Sequence, residues 1–150
     1  MELGNKKTGI MLVITGLWVL ITLCAWKGQW FVSLIASVIL MLLYMMLGAA
    51  KNGKLNMKFF VTTLLSWSIL WAGGFFLSKY YADIFAGKMP DFTILGFHPS
   101  FAFTILTYWI GGMLTLTLGL TIFADLWLSD EDWNNFKDKI ESLNSLKEEC

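Results

Sequence analysis

His98 is the only histidine in the chain, and it stands in GFHPSFAFTIL beside Pro99, one of only two prolines. A lone imidazole titrates near neutrality, so it could sense pH or meet a ligand at a protein surface. A metal site would need thiol or carboxylate partners beside it, and the apolar run that follows offers none before Asp125. Asp125 is the second candidate, because a carboxylate inside a membrane segment can carry a cation or a proton. Cys24 lies in an apolar run and Cys150 is the last residue, with no CxxC anywhere. Thiol redox chemistry and a disulfide scaffold therefore have little support. HExxH, GxSxG and P-loop motifs are all absent. The chain reads as a protein that is not an enzyme and has no cofactor or metal.

Each candidate also has a plainer reading. Gly96 breaks regular structure, Pro99 suits the first position of a helix, and Ser100 can help satisfy the open N–H groups of its first turn. His98 then marks the place where a helix meets the membrane interface, which suits a half-apolar ring with a polar edge. Asp125 becomes an interfacial acid that opens the tail. These plainer readings account for every residue involved and are preferred.

The elements that would position these residues are membrane spans. The 150 residues are 57% apolar and 16% aromatic, with only 15% charged, where a soluble domain carries about a quarter. Most of the charges gather at the start, in the KNGKLNMK loop and after Asp125. Four apolar runs lie between them, at 9–26, 30–50, 59–77 and 99–124, each long enough to cross roughly 30 Å of hydrocarbon as a helix. The fold class is all-α, a polytopic membrane protein of four transmembrane helices plus a C-terminal amphipathic helix. Residues 1–128 form the membrane domain and 129–150 the tail. The first run is long for a signal peptide and is followed almost at once by the second, so the pair reads as an uncleaved hairpin.

All eleven basic residues are lysine, which suits an AT-rich bacterial genome. Lys6, Lys7, Lys51, Lys54, Lys58, Lys137, Lys139 and Lys147 outnumber Lys27, Lys79 and Lys88 on the other side. The excess puts both termini and the central loop in the cytoplasm of a bacterium, with the protein in its inner membrane. Trp26, Trp30, Tyr80 and Tyr81 mark the outer interface, and Trp127 and Trp133 the inner one. The zero net charge gives no case for nucleic acid. The 79–98 connection is too apolar for a free loop and should lie on the outer membrane surface or against a partner. In the tail, Ser129 is a helix cap, acids crowd the first turn, and Trp133, Phe136, Ile140 and Leu143 recur at helical spacing. That helix should rest on the bilayer or fold under its own bundle, or else dock a partner.

Small residues four apart, Ser68 and Ala72, Gly74 and Ser78, Gly111 and Thr115, share helix faces that let backbones approach closely. With Gly73 and Gly112 they either pack the third and fourth spans on each other or receive a larger membrane protein, flanked by Trp67, Trp71 and Trp109. The candidate interaction residues are thus Trp67, Trp71, Gly73, Gly74, His98, Pro99, Trp109, Gly111, Gly112, Asp125, Trp133 and Phe136.

The GFHPSFAFTIL segment, the span it opens and the DLWLSDEDWNNF tail resemble the short accessory subunits of bacterial sodium/solute symporters, over residues 59–137. The chain departs from that pattern in its extra N-terminal hairpin and in lacking a glutamine pair early in the last span. The resemblance implies a helper that binds or stabilises a transporter, with the bilayer and a larger membrane protein as partners. The rival reading is a self-contained homo-oligomeric transporter or channel lined by Thr104, Thr107, Thr115 and Thr121. It lacks a membrane-buried charge to couple an ion.

Overall fold

The computed structural model describes residues 2–51 and 53–148; Cys150 and the side chains of Trp127 and Lys147, assigned above, lie outside the described residues. The molecule is 79% helical and has no strands among the described residues. Four helices are long and apolar enough to cross a membrane: α1 (Lys7–Trp26), α2 (Trp30–Gly48), α3 (Met57–Ile84) and α4 (Pro99–Ile122). A single turn, α5 (Ala124–Trp127), leads to the tail helix α6 (Asp130–Glu148).

The long helices stand chiefly in a row, each packed on its neighbour in sequence. The α1–α2 hairpin turns at Gly28, whose φ of +74° is the left-handed conformation that glycine adopts without penalty. Ser33 Oγ then donates to the Ile21 carbonyl across the hairpin, at 3.2 Å. Trp18, too deep for an interface belt, finds its partner here: its Nε1 donates to Tyr44 Oη at 3.2 Å. An indole N–H without a partner would be costly in hydrocarbon.

The third helix is longer than the apolar run at 59–77. The third helix runs to Ile84 rather than stopping at 77, because its charges fit a helix. Lys79 Nζ binds Asp83 Oδ2 one turn on, at 2.6 Å, and lies over the rings of Trp30 and Phe31. Lys79 therefore belongs to a helix end and not to a loop.

A buried cluster lies at the end where the KNGKLNMK loop lies. Leu3, Met46, Leu55, Phe59 and Leu64 form a buried cluster, and Ile10 of α1 and Leu116 and Leu120 of α4 close on it. The N-terminal segment is tied down by Leu3 N–H donating to Gly53 O at 2.6 Å. Asn56 caps α3, accepting from the Lys58 and Phe59 N–H groups. The N-terminal segment, the central loop and the root of the tail helix thus share one end of the molecule. At the other end, Leu95 (φ +53°) and Gly96 (φ +79°) form a tight turn between Ile94 and Phe97, which exchange both backbone hydrogen bonds.

Candidate functional site

The helices α3 and α4 run antiparallel and approach closely. A Cβ at Gly74 would lie 2.8 Å from Thr107 Cβ, and one at Gly119 would lie 2.9 Å from Thr63 Cβ. Two glycines, one on each helix, receive two threonines from the other. Gly112 faces the indole nitrogens of Trp67 and Trp71, and Gly111 faces Leu70. Trp71 is the centre of an aromatic column, 4.5 Å from Trp67 and stacked on Tyr108 at 4.2 Å.

Both helices widen along this seam. Phe60–Leu65 in α3, and Ile105–Gly111 and Met113–Thr117 in α4, are π-helical. Side-chain back-bonding accompanies the widening: Thr62 donates to Lys58 O and Ser66 to Thr62 O in α3, Thr107 to Phe103 O and Thr115 to Gly111 O in α4. Such bonds and glycine pairs both open helix turns. Thr63 Oγ1 and Trp71 Nε1 are buried at the seam without a hydrogen-bond partner. Each such group costs about 1–3 kcal/mol, so the seam is well packed but not fully satisfied.

The expected interaction residues therefore separate. Trp67, Trp71, Gly74, Gly111 and Gly112 are used within the chain, between α3 and α4. Gly73, one residue from Gly74, has open space where its Cβ would be. Trp109 turns away from the seam and is 70% exposed. Trp133 and Phe136 stack on each other and are both exposed.

His98 and Pro99 form the start of α4. His98 is the N-cap and Pro99 is the first helical residue. The cap acceptor is the imidazole itself: the Ser100 N–H donates to His98 Nδ1 at 3.3 Å, and Ser100 Oγ lies 3.0 Å from the same nitrogen. Ser100 was expected to supply this acceptor. The ring also packs edge-on against Phe85, within a cluster joining Tyr81, Phe92 and Phe103. His98→Ala is expected to cost about 1 kcal/mol as a lost cap, and His98→Asn to restore most of it, in thermal unfolding of the purified protein. Equal losses in both variants would indicate a role for the imidazole beyond capping.

The root of the tail is a site that the sequence did not disclose in full. Ser129 and Asp132 form a reciprocal cap: Ser129 N–H and Oγ–H donate to Asp132 Oδ2 at 2.9 and 2.7 Å, and Asp132 N–H points to Ser129 Oγ at 3.4 Å. Lys51, from the central loop, binds Asp132 Oδ2 at 2.5 Å and Ser129 Oγ at 2.9 Å. The Lys51 hydrogen bond, with those from Ser129, holds the Asp132 carboxyl at about 2, below its ordinary 3.8. Ser129 was readable as a cap; Lys51 is distant in sequence and gave no signal. Asp125 is exposed in the α5 turn and is not part of this lock.

Beyond its lock the tail is uncovered. Trp133, Phe136, Ile140 and Leu143 are all exposed, so the helix does not fold its apolar stripe under the bundle. Among the described residues no group of three His, Cys, Asp or Glu side chains could hold a metal. No family model, curated protein or solved structure matches the chain. The geometry offers packing surfaces and a tail helix fixed at its root.

Proposed function

We propose that the chain is an integral membrane interaction protein of a bacterial cytoplasmic membrane, an accessory subunit that binds or stabilises a larger transporter without covalent chemistry. The observation that carries this reading is the tail helix, locked at its root yet exposing Trp133, Phe136, Ile140 and Leu143. An anchored amphipathic helix with an open stripe is a ready docking element. It continues from α4, an edge helix of the row, whose outward face carries Trp109, Ile110, Met113 and Leu114. One partner could meet both surfaces. The resemblance of residues 59–137 to symporter accessory subunits supports the same reading, and the lysine excess favours both termini inside.

The rival, a homo-oligomeric transporter or channel, has less support. Thr104, Thr107, Thr115 and Thr121 all donate their hydroxyls to carbonyls of their own helix, and Thr107 is pressed against Gly74.

The test is purification of the tagged protein from its native host in a mild detergent. A transporter is expected in near-stoichiometric amount. Trp109→Ala combined with Trp133→Ala and Phe136→Ala is expected to lower its recovery at least tenfold, with the unfolding temperature shifted little because all three rings are exposed. A clean homo-oligomer carrying solute flux in liposomes would overturn the accessory reading.

A further inference from the structure

At the other edge of the row, where α1 meets α2, a groove of about 500 Å³ is lined by Lys6, Gly9, Ile10, Val13 and Leu43. The groove is apolar along its length and carries one cation, Lys6, at the end that the helix begins from. Lys6 takes part in no ion pair among the described residues. Lys7 follows it, and Glu2, the acid of the same segment, is bridged by its backbone to Lys54.

Gly9 is the informative residue. It sits in the first turns of a transmembrane helix, where glycine is a poor helix former. Its φ is not positive, and a Cβ built on it meets nothing within 4 Å. Neither the backbone nor a neighbouring helix in the chain requires a glycine there. What the missing side chain does provide is the open floor of the groove.

We propose that this groove binds an anionic phospholipid, with an acyl chain along Gly9, Ile10, Val13 and Leu43 and the headgroup phosphate on Lys6. The arrangement matches an amphiphile: an apolar groove ends at an ammonium on a flexible apolar stem. Basic pockets between membrane helices bind anionic headgroups in this way. A wholly apolar helix fits less well, because it would cover Lys6 without neutralising it. The proposal is independent of the accessory reading, since it concerns the opposite edge of the row.

The test uses the full-length protein in an uncharged detergent. Its unfolding midpoint is followed on adding dioleoyl phosphatidylglycerol, dioleoyl phosphatidylcholine, or inorganic phosphate. The anionic lipid alone is expected to raise the midpoint by several degrees, through preferential binding to the folded state. Gly9→Leu, which fills the groove where no other side chain is met, is expected to abolish that rise. Lys6→Gln, at an exposed position that cannot unfold the bundle, is expected to weaken the lipid's apparent affinity at least fivefold. An equal rise with phosphatidylcholine or with inorganic phosphate would overturn the proposal. So would a rise lost in Lys6→Gln but intact in Gly9→Leu, which would show surface charge attraction with no bound chain. If Gly9→Leu lowers the midpoint in detergent alone, Val13→Phe takes its place as the groove-filling variant and is read in the same way.

Discussion

Gly74→Leu is expected to break the α3–α4 seam, with a loss of about 3 kcal/mol or more in unfolding free energy, whereas Gly73→Ala, one residue away, should change stability by no more than about 0.5 kcal/mol. The two glycines differ only in which way they face. Behind Gly74 stands Thr107, with its Cβ 2.8 Å from where a Cβ would be, and behind Gly73 there is open space. Thr107 cannot move aside freely, because its hydroxyl is bound to Phe103 O at 2.7 Å. A bulkier residue at 74 must therefore separate the helices. In lipid, helix association rests on close packing rather than on hydrophobic burial, so a gap at the closest approach forfeits much of what holds the pair. Gly119→Leu should act alike at the other end of the seam, against Thr63. Thermal or denaturant unfolding in detergent measures all three. Equal tolerance of Gly73→Ala and Gly74→Leu would mean that the helices do not meet in this rotation.

This comparison also shows what could be read from the residues alone. The four helices were legible because hydrocarbon demands about twenty apolar residues per crossing and leaves the backbone no alternative to helix. The start of α4 was legible because Gly96 and Pro99 bracket His98, and both residue types have strong local preferences. The rotation of each helix was not legible. Adjacent glycines at 73 and 74 look equivalent until a neighbour is placed, so residues of the internal seam were grouped with a possible docking face. The extension of α3 to Ile84 was hidden because Lys79 and Asp83 resemble loop charges, although a spacing of four residues lets them pair on a helix. Leu3 and Leu55 were missed as core because single apolar residues in polar segments carry no period; they are covered where the N-terminal segment pairs with the central loop, with the Leu3 and Gly4 N–H groups donating to Gly53 O.

The tail lock leads to the second large effect. Asp132→Asn is expected to free the root of α6 at neutral pH, and in the unaltered protein acid should do the same. Lys51 and Ser129 hold the Asp132 carboxyl at about 2, below its ordinary 3.8. A depressed folded-state value means that the lock contributes in full above about 4 and loses its contribution as pH falls through about 2. No change is therefore expected from pH 9 to 5. Spin labels at Lys54 and Asn135, outside the lock, should give one narrow distance distribution over that range and a broad one near pH 2. Asp132→Asn should be broad already at pH 7. Lys51→Gln removes the same bond from the other side, so it should be broad at pH 7 and lack most of the acid transition, which separates the lock from general protonation of carboxylates. Added salt should broaden the distribution in the unaltered protein, since both partners are about one-third exposed and solvent ions reach them. Under the accessory reading the same variants should weaken partner recovery more than they lower the unfolding temperature. The lock aims the Trp133–Phe136 stripe and contributes little to the packing of the four spans. A narrow distribution in Asp132→Asn at pH 7 would mean that the tail is held by something other than Lys51, and would remove the fixed docking helix on which that reading depends.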